Sequence, residues 1–411
     1  MKRSFLFLQG VCSPFFTRLA DVLQAQGHSV HKINFTVGDV LYWLPRPAEY
    51  FRGNLNELPD FIATVWEKYG ITDQVLFGDC RPVHQSAVNR AEQFGIRTHV
   101  FEEGYFRPHW ITLEREGVNG HSLLPRDPDW FAQVGKRIPN PVKPQAFRSP
   151  FYIRAFHDVL YNFAGLSNCL FFPHYQSHVP YWAFLEYAAY IRRFILIKLR
   201  ENKDSHYISW VLNDNTPFYV LPLQLGSDAQ IRQHSRFADM REVIEEVLQS
   251  FALHAPTNSR LVIKNHPLDA GLINYRKIIN RLARQFNLTG RVFYLKSGDL
   301  NALLKKAAGT VTVNSTVGGL ALSLGCPTIA LSDAIYNLPN LTFQGRLDDF
   351  WHHATPPDAE LFRCFRNAVI HSTQLNGGFY CKTGINLAVS QAVAVLTAEQ
   401  SPLEKLLDLK L

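Results

Sequence analysis

The chain has 411 residues, 46% of them hydrophobic and 19% charged, with 42 Lys+Arg against 35 Asp+Glu and a formal net charge of +7. That composition is globular and excludes a disordered polyelectrolyte or a collagen-like repeat, and single cores stop growing at about 250–300 residues, so the length calls for two domains. No apolar run reaches the ~18–20 residues of a membrane-spanning helix; the best, residues 182–199, is broken by Glu186, Arg192 and Arg193.

The first eight residues imitate a secretion signal, but the apolar stretch ends at Gln9-Gly10, short of the roughly 7–15 residues a signal core needs. It reads instead as a β-strand over 4–9. A proline-started helix follows over 14–25, then a strand over 29–35, a helix over 58–69, a strand over 74–77, a helix over 82–94 and a strand over 96–101. Strands and helices alternating at this length imply βαβ crossovers and a parallel sheet. Residues 1–140 are therefore expected to form an N-terminal Rossmann-like domain.

The alternation resumes with strands over 218–223, 260–264, 291–295, 309–313 and 328–331, separated by helices over 240–252, 273–285, 300–307 and 318–324. This predicts a second Rossmann-like domain over 206–350, and two such domains facing a cleft make a GT-B-like α/β architecture. Residues 351–411, with helices near 359–372 and 387–397, are expected to pack back on the first domain. Between the domains, residues 141–205 form an aromatic and basic helical segment; residues 141–200 alone hold seven basic side chains, two acidic ones and 15 aromatic rings, five of the seven net charges. The six cysteines, at 12, 80, 169, 326, 364 and 381, make neither a CxxC pair nor a dense framework, so neither a disulfide scaffold nor a zinc site is expected, and a reduced cytoplasm is.

Polar residues follow several strands directly, where open parallel sheets collect ligands and the next helix aims its backbone N–H groups. The first cluster is Phe101-Glu102-Glu103-Gly104-Tyr105-Phe106-Arg107-Pro108. Two adjacent carboxylates in a partly dry cleft repel each other, which raises the pKa of one and suits it to proton transfer. Glu102 is read as that group; Glu103 is as well explained by pairing with Arg107. In the second cluster, Leu223 to Ile231, Asp228 sits in a glycine-containing turn as either a nucleophile toward an anomeric carbon or, more simply, a helix N-cap. The third, Val262-Ile263-Lys264-Asn265-His266-Pro267, offers two donors to a phosphate from a strand end, with a structural histidine as the plainer reading. In the fourth, Asn314, Ser315 and Thr316 open a small-residue helix and make an anion site compatible with an ordinary Ser/Thr cap. The glycines that follow lack P-loop spacing, which argues against ATPase chemistry.

The order Glu-Glu-Gly, His-Pro, Ser-Thr resembles the three short motifs of bacterial sialyltransferases and related CMP-sugar enzymes. A longer match runs from about residue 4 to about 345: Gln9-Gly10 with Pro14-Phe15-Phe16, Val30 to Phe35, Phe77-Gly78-Asp79-Cys80-Arg81-Pro82, Phe101 to Pro108, Ile111 to Glu114 with Gly117 to Gly120, Lys264 to Pro267 and Asn314 to Gly318. On these residues the chain resembles the KpsS/LipB-type capsule polysaccharide biosynthesis (export) proteins, the β-Kdo transferase family. The resemblance implies a retaining glycosyltransferase that moves β-Kdo, an acidic ketosugar, from CMP-Kdo to a (lyso)phosphatidylglycerol-type lipid and so starts the poly-Kdo linker of a capsular polysaccharide. It makes the N-terminal domain the acceptor side and the C-terminal domain the CMP-sugar side. It carries the nucleophile onto Asp228, proton transfer onto Glu102, and CMP binding onto Lys264, His266, Pro267, Asn314, Ser315 and Thr316, with His266 also catalytic; Gln9, Arg81, Glu103 and Arg107 become candidate sugar or acceptor contacts. The sequence departs from the expected pattern at Lys-Asn-His-Pro-Leu-Asp, so Asp269 receives no role. Two alternatives remain: an inverting CMP-sialic acid transferase with Glu102 as base, and a non-catalytic export or scaffold protein.

Lys264, His266 and the Ser315-Thr316 helix start can stabilise a leaving CMP phosphate, and no acidic metal motif is apparent, so no cofactor and a metal-independent reaction are expected. The aromatics and basic residues at 181–185 and 191–194 have the composition of a helix on anionic lipid, or equally of an interdomain helical pair. No RNA-binding motif accompanies them, so the expected partners are a CMP-sugar, a phospholipid and other capsule proteins rather than nucleic acid. The expected location is cytoplasmic, peripheral at the inner membrane.

Overall fold

The structure is a computed structural model that describes residues 2–177, 187, 189, 201–225, 231, 233 and 235–409. It divides into two compact units: Met1–Leu124 with Arg137–His178 and Asn367–Leu411, and Pro125–Lys136 with Val179–Arg366.

The first unit is built on strands β1 (Ser4–Phe7), β2 (Ser29–Asn34), β3 (Glu49–Tyr50), β4 (Asp73–Phe77), β5 (Arg97–Glu103), β6 (Trp110–Arg115) and β12 (Gln374–Asn376). They form one sheet in the order β12-β6-β5-β4-β1-β2-β3, parallel from β5 to β3 and antiparallel at β5–β6 and β6–β12. All four β1 residues are buried, the apolar run expected of a strand covered on both faces. Helix α1 (Phe15–Ala25) buries Phe15, Phe16, Leu19, Ala20 and Leu23, one stripe at helical spacing. Helices α2 (Val37–Trp43), α3 (Leu58–Tyr69) and α4 (Pro82–Ala91) complete the crossovers. The order 3-2-1-4-5 puts the topological switch point between β1 and β4, where the sheet's carboxyl edge opens to ligands.

Helices α6 (Phe151–Ala164), α7 (Asn168–Phe171), α15 (Lys382–Thr397) and α16 (Pro402–Leu407) also belong to this unit. Helix α15 buries Ile385, Ala388, Val389, Ala392, Val393 and Leu396, in one core with Phe15, Phe101 and Phe379. Phe379 meets Phe15 and Phe77 edge-on at centroid distances of 5.0 and 5.2 Å, and burying such a ring contributes about 1.5–3 kcal/mol. The Arg115 guanidinium clamps the end of the chain through Glu404 at 2.6 Å and the Ala398 carbonyl at 3.0 Å.

The second unit holds β7 (Phe218–Pro222), β8 (Arg260–Lys264), β9 (Val292–Leu295), β10 (Gly309–Thr312) and β11 (Thr328–Ala330), all parallel in the order β11-β10-β7-β8-β9. This repeats the 3-2-1-4-5 order of the first unit, with its switch point between β7 and β10. Its helices are α5 (Pro128–Arg137), which ends at the unit boundary, α8 (Glu201–Asn213), α9 (Met240–His254), α10 (Tyr275–Gln285), α11 (Leu300–Lys306), α12 (Thr316–Ser323) and α13 (Leu347–His353); α14 (Ala359–Thr373) runs from this unit into the first. Helix α9 is capped by Asp239, which accepts from the Arg241 N–H at 2.7 Å, and buries Val243, Ile244, Val247, Leu248 and Phe251 against Tyr219 and Trp351.

Two Rossmann-like units in one α/β chain match the GT-B-like class expected from the sequence. The expected boundaries need correcting. Residues 125–136 belong to the second unit, where Arg126 donates to the Ala334 carbonyl at 2.7 Å and Phe131 packs edge-on against Phe365. The expected 141–205 segment is not one insertion: Arg137–His178 is part of the first unit, and α8 packs in the core of the second through Ile208 and Val211. The second unit runs on to Arg366 rather than ending at 350.

Candidate functional site

In the first unit the carboxyl ends of β1, β4 and β5 carry the polar residues. Gln9, buried just past β1, accepts from Arg81 Nη1 at 3.2 Å through its side-chain oxygen, and Arg81 also donates to the Gly10 carbonyl at 2.9 Å. Arg81 stacks over the Phe77 ring at 5.1 Å, so one guanidinium bridges the two strands of the switch point. The turn that delivers it contains Gly78 at φ +70°, in the left-handed region where a side chain is strained; a Cβ there would lie 3.4 Å from Glu102 Oε2.

Glu102 is the penultimate residue of β5, which extends through Glu103 rather than ending at Phe101 as the sequence suggested. Its Oε1 accepts from the Glu103 N–H at 2.9 Å. Burial pushes the Glu102 carboxyl up to about 7; the Glu103 N–H, Arg81 and Arg107 oppose the shift and the Glu103 charge adds to it. Glu103 does not pair with Arg107: its Oε1 meets Arg154 of α6 at 3.3 Å, while the exposed Arg107 donates to the Gly104 carbonyl at 3.4 Å. Gln9, Arg81 and Glu102 thus gather at one place, Glu103 is tied to α6, and Arg107 acts on Glu102 only through its charge.

Sequence reasoning missed the polar layer beneath these residues. Asp39 accepts from the Phe35 N–H at 3.0 Å and from Tyr161 of α6 at 3.0 Å, and Gln9 Nε2 donates to the Tyr161 and Tyr175 hydroxyls at 3.2 Å each. Lys32, also buried, donates to the Leu8 and Ile33 carbonyls at 3.1 and 2.6 Å, and burial pushes its ammonium down to about 8 against the pull of Asp39.

In the second unit Asn314, just past β10, and the buried Gln224, just past β7, exchange hydrogen bonds: Gln224 Nε2 donates to Asn314 Oδ1 at 3.1 Å and Asn314 N–H to Gln224 Oε1 at 3.4 Å. The pair spans the switch point. Gln224 carries no motif signal, since only the strand order brings it to a residue 90 positions away. Ser315 caps α12, accepting from the Val317 N–H at 3.2 Å, and Thr316 opens the helix. Its first turn is held by Tyr336, whose hydroxyl donates to the Ser315 carbonyl at 2.5 Å and fills the place a Cβ on Gly318 would take.

Lys264 ends β8 and is buried; Asn265 bonds Asp269 at 2.8 Å, which places Asp269 in support of this turn. His266 Nδ1 accepts from the Leu268 N–H at 3.0 Å, which in the neutral ring puts the proton on Nε2, and Pro267 is exposed. Lys264 and His266 share the carboxyl edge with Asn314, Ser315 and Thr316, two strands away across β7. Asp228 lies outside the described residues, as do residues 181–185 and 191–194.

The described part of the aromatic segment shows a further feature. Along α6, the turn after it and α7, the side chains of Tyr152, Phe156, Val159, Phe163, Leu166 and Leu170 follow one helical stripe, and all six are 46–77% exposed. The polar side chains Arg154, His157 and Tyr161 face the unit, bonding Glu103, Tyr42 and Asp39. The amphipathic helix is therefore mounted with its apolar face outward. No helix among the described residues is long and apolar enough to cross a membrane.

Two Rossmann-like units, each with its polar residues gathered at a topological switch point, define an α/β protein equipped to hold ligands at the carboxyl edges of both sheets. By sequence the chain belongs to the capsule polysaccharide biosynthesis protein family, whose match covers residues 72–380. It is 34% identical to the capsule polysaccharide export protein KpsS of Escherichia coli over 383 residues, 92% of this chain and 97% of that protein. It is 36% identical to the capsule polysaccharide modification protein LipB of Neisseria meningitidis serogroup A over 392 residues, 91% of each. Among solved structures it is similar to the β-Kdo 2,7 transferase KpsC of Thermosulfurimonas dismutans, with a TM-score of 0.46 and 13% identity over 96% of this chain and 98% of that one.

Proposed function

We propose that the protein is a retaining glycosyltransferase that moves β-Kdo from CMP-Kdo to a (lyso)phosphatidylglycerol-type lipid, starting the poly-Kdo linker of a capsular polysaccharide. The observation that carries the reading is Glu102: a carboxyl raised to about 7 at a strand end, under the charges of Arg81 and Arg107, with membership of a capsule polysaccharide biosynthesis family in support. In this scheme the Asp228 carboxylate attacks the anomeric carbon, the bond to the CMP phosphate breaks and its electron pair leaves with CMP. Lys264, His266 Nε2–H and the N–H groups at the start of α12 stabilise the departing phosphate without a metal. The lipid hydroxyl then displaces Asp228 from the sugar while Glu102 takes the hydroxyl proton. The outward apolar stripe of α6 seats the protein peripherally on the anionic inner leaflet, at the acceptor.

The test is incubation of the purified protein with in-situ-generated CMP-Kdo and a fluorescent lysophosphatidylglycerol, read by mass spectrometry. A mass increase of one Kdo is expected, lost in Glu102→Gln and in Asp228→Asn. A product formed only from CMP-sialic acid, or undiminished activity in Asp228→Asn, overturns the reading. Because Glu102 acts as base, the rate falls as pH drops below about 7, where its carboxyl protonates. Adding magnesium or manganese is expected to leave the rate within about twofold, and a reaction silent until either is added refutes the metal-free departure of CMP.

A further inference from the structure

Next to Arg81, at the carboxyl end of β4, three potential metal ligands converge from two separate turns. Asp79 Oδ2 lies 2.9 Å from His121 Nδ1, and Cys80 Sγ lies 3.9 Å from the same nitrogen. The three ligand atoms all fall within 4.8 Å of one another, and this is the one such group among the described residues. We infer that Asp79, Cys80 and His121 form a binding site for a divalent cation of the zinc class.

The geometry suits that ion. Tetrahedral zinc, with bonds of about 2.0–2.1 Å to oxygen and nitrogen and about 2.3 Å to sulfur, sets its oxygen and nitrogen ligands about 3.3 Å apart and its sulfur and nitrogen about 3.6 Å apart. The observed 2.9 and 3.9 Å lie within a few tenths of an ångström of those two edges, and the third, between Asp79 and Cys80, is no longer than 4.8 Å. The donors suit it too: a thiolate, a carboxylate and an imidazole neutralise a divalent charge and favour zinc over magnesium or calcium, which prefer oxygen alone. Asp79 is buried and its Oδ2 is oriented by the Val118 N–H at 3.2 Å, a supporting contact of the kind metal-bound carboxylates use. The His121 side chain is 57% exposed, which gives the ion a route in and leaves the fourth position to water. On binding, the Cys80 thiol releases its proton to solvent, and the proton that His121 Nδ1 donates to Asp79 moves through solvent to Nε2, which frees the Nδ1 lone pair for the metal.

The ion would tie the turn carrying Gly78 and Arg81 to the turn at 118–121. It takes no part in the departure of CMP and is independent of which sugar is transferred.

Tag-free protein, stripped with a chelator and dialysed against zinc, is expected to retain one equivalent. Cobalt loading is expected to give a near-ultraviolet thiolate-to-cobalt band. Cys80→Ser is expected to abolish the band, and both Cys80→Ser and His121→Ala to weaken zinc binding at least about tenfold. His121 is mostly exposed, so its alanine variant reports on binding even if the cysteine variant folds poorly. No stoichiometric zinc in the wild type, undiminished zinc in both variants, or cobalt bound without the thiolate band overturns the site. None of these readouts uses a CMP-sugar, so they stand or fall apart from the transferase assay.

Discussion

Gly78 shows how one backbone dihedral positions two side chains. It turns the chain at φ +70° directly after β4, aims Arg81 back at Gln9, and leaves only 3.4 Å between an added methyl and Glu102 Oε2. Gly78→Ala is expected to cost about 1–2 kcal/mol from the left-handed conformation alone, and to lower turnover because relief of that strain shifts the turn that carries Arg81. Denaturant unfolding and the transfer rate, measured together, check this; a variant with unchanged stability and rate refutes it. At this scale the sequence showed which strand ends gather polar residues, because a strand followed by Glu-Glu-Gly or Lys-Asn-His-Pro is a local pattern. It did not show Gln224 against Asn314 or Asp79 against His121, because those pairs exist only once strands or turns far apart in the chain are neighbours.

Among the elements, α6 is the one whose orientation has a direct consequence. In the sequence it lies within the aromatic and basic segment, whose composition does not say which face a helix buries. The polar ties from Arg154, His157 and Tyr161 settle it, holding the polar face against the first unit and leaving Phe156 and Phe163 at 62% and 64% exposure. Replacing both by serine is expected to leave thermal stability nearly unchanged, since exposed substitutions typically alter it by under about 0.5 kcal/mol. The same change should weaken binding to phosphatidylglycerol vesicles by about 2 kcal/mol or more, roughly thirtyfold. Equal sedimentation of wild type and variant with vesicles defeats the membrane assignment. The strands missed from the sequence have their own reason: β3 and β12 have only two and three residues, and β6 pairs only with β5 and β12, both antiparallel to it and outside the βαβ alternation.

The stability of the whole molecule is linked to pH through a buried cluster at the opposite end of the first sheet from Glu102. His99 Nε2 lies 2.8 Å from Asp73 Oδ1, which also accepts from Arg3 at 3.1 Å. Burial lowers His99 below its usual 6.5, and Asp73 only partly offsets it; Asp73 in turn is held below 3.8, the upward push of burial outweighed by His99, Thr72 and Arg3 together. Both groups bind fewer protons folded than unfolded, so their stabilisation is present above about pH 6.5 and is lost as pH falls, through His99 first and Asp73 later. Glu102 has the opposite sign, its raised pKa favouring the fold at low pH and ceasing to do so as pH rises through about 7. The contribution of His99 is therefore read as a difference: between pH 6.5 and 5, His99→Gln should lose stability less steeply than wild type, by up to about 1.4 kcal/mol per pH unit. Parallel curves for the two proteins rule this linkage out.

The return of the chain to its first sheet also has a consequence for how the protein is made. β6 ends at Arg115 and its partner β12 begins at Gln374, about 260 residues later, which a ribosome adding about 5–20 residues per second takes on the order of ten to fifty seconds to produce. Throughout that interval the face of Phe15, Phe77 and Phe101 that Phe379 and α15 eventually cover is an open apolar surface on a nascent chain. The first unit is thus completed only after the second has been made, and until then its open face is apolar surface of the kind that chaperones shield during translation.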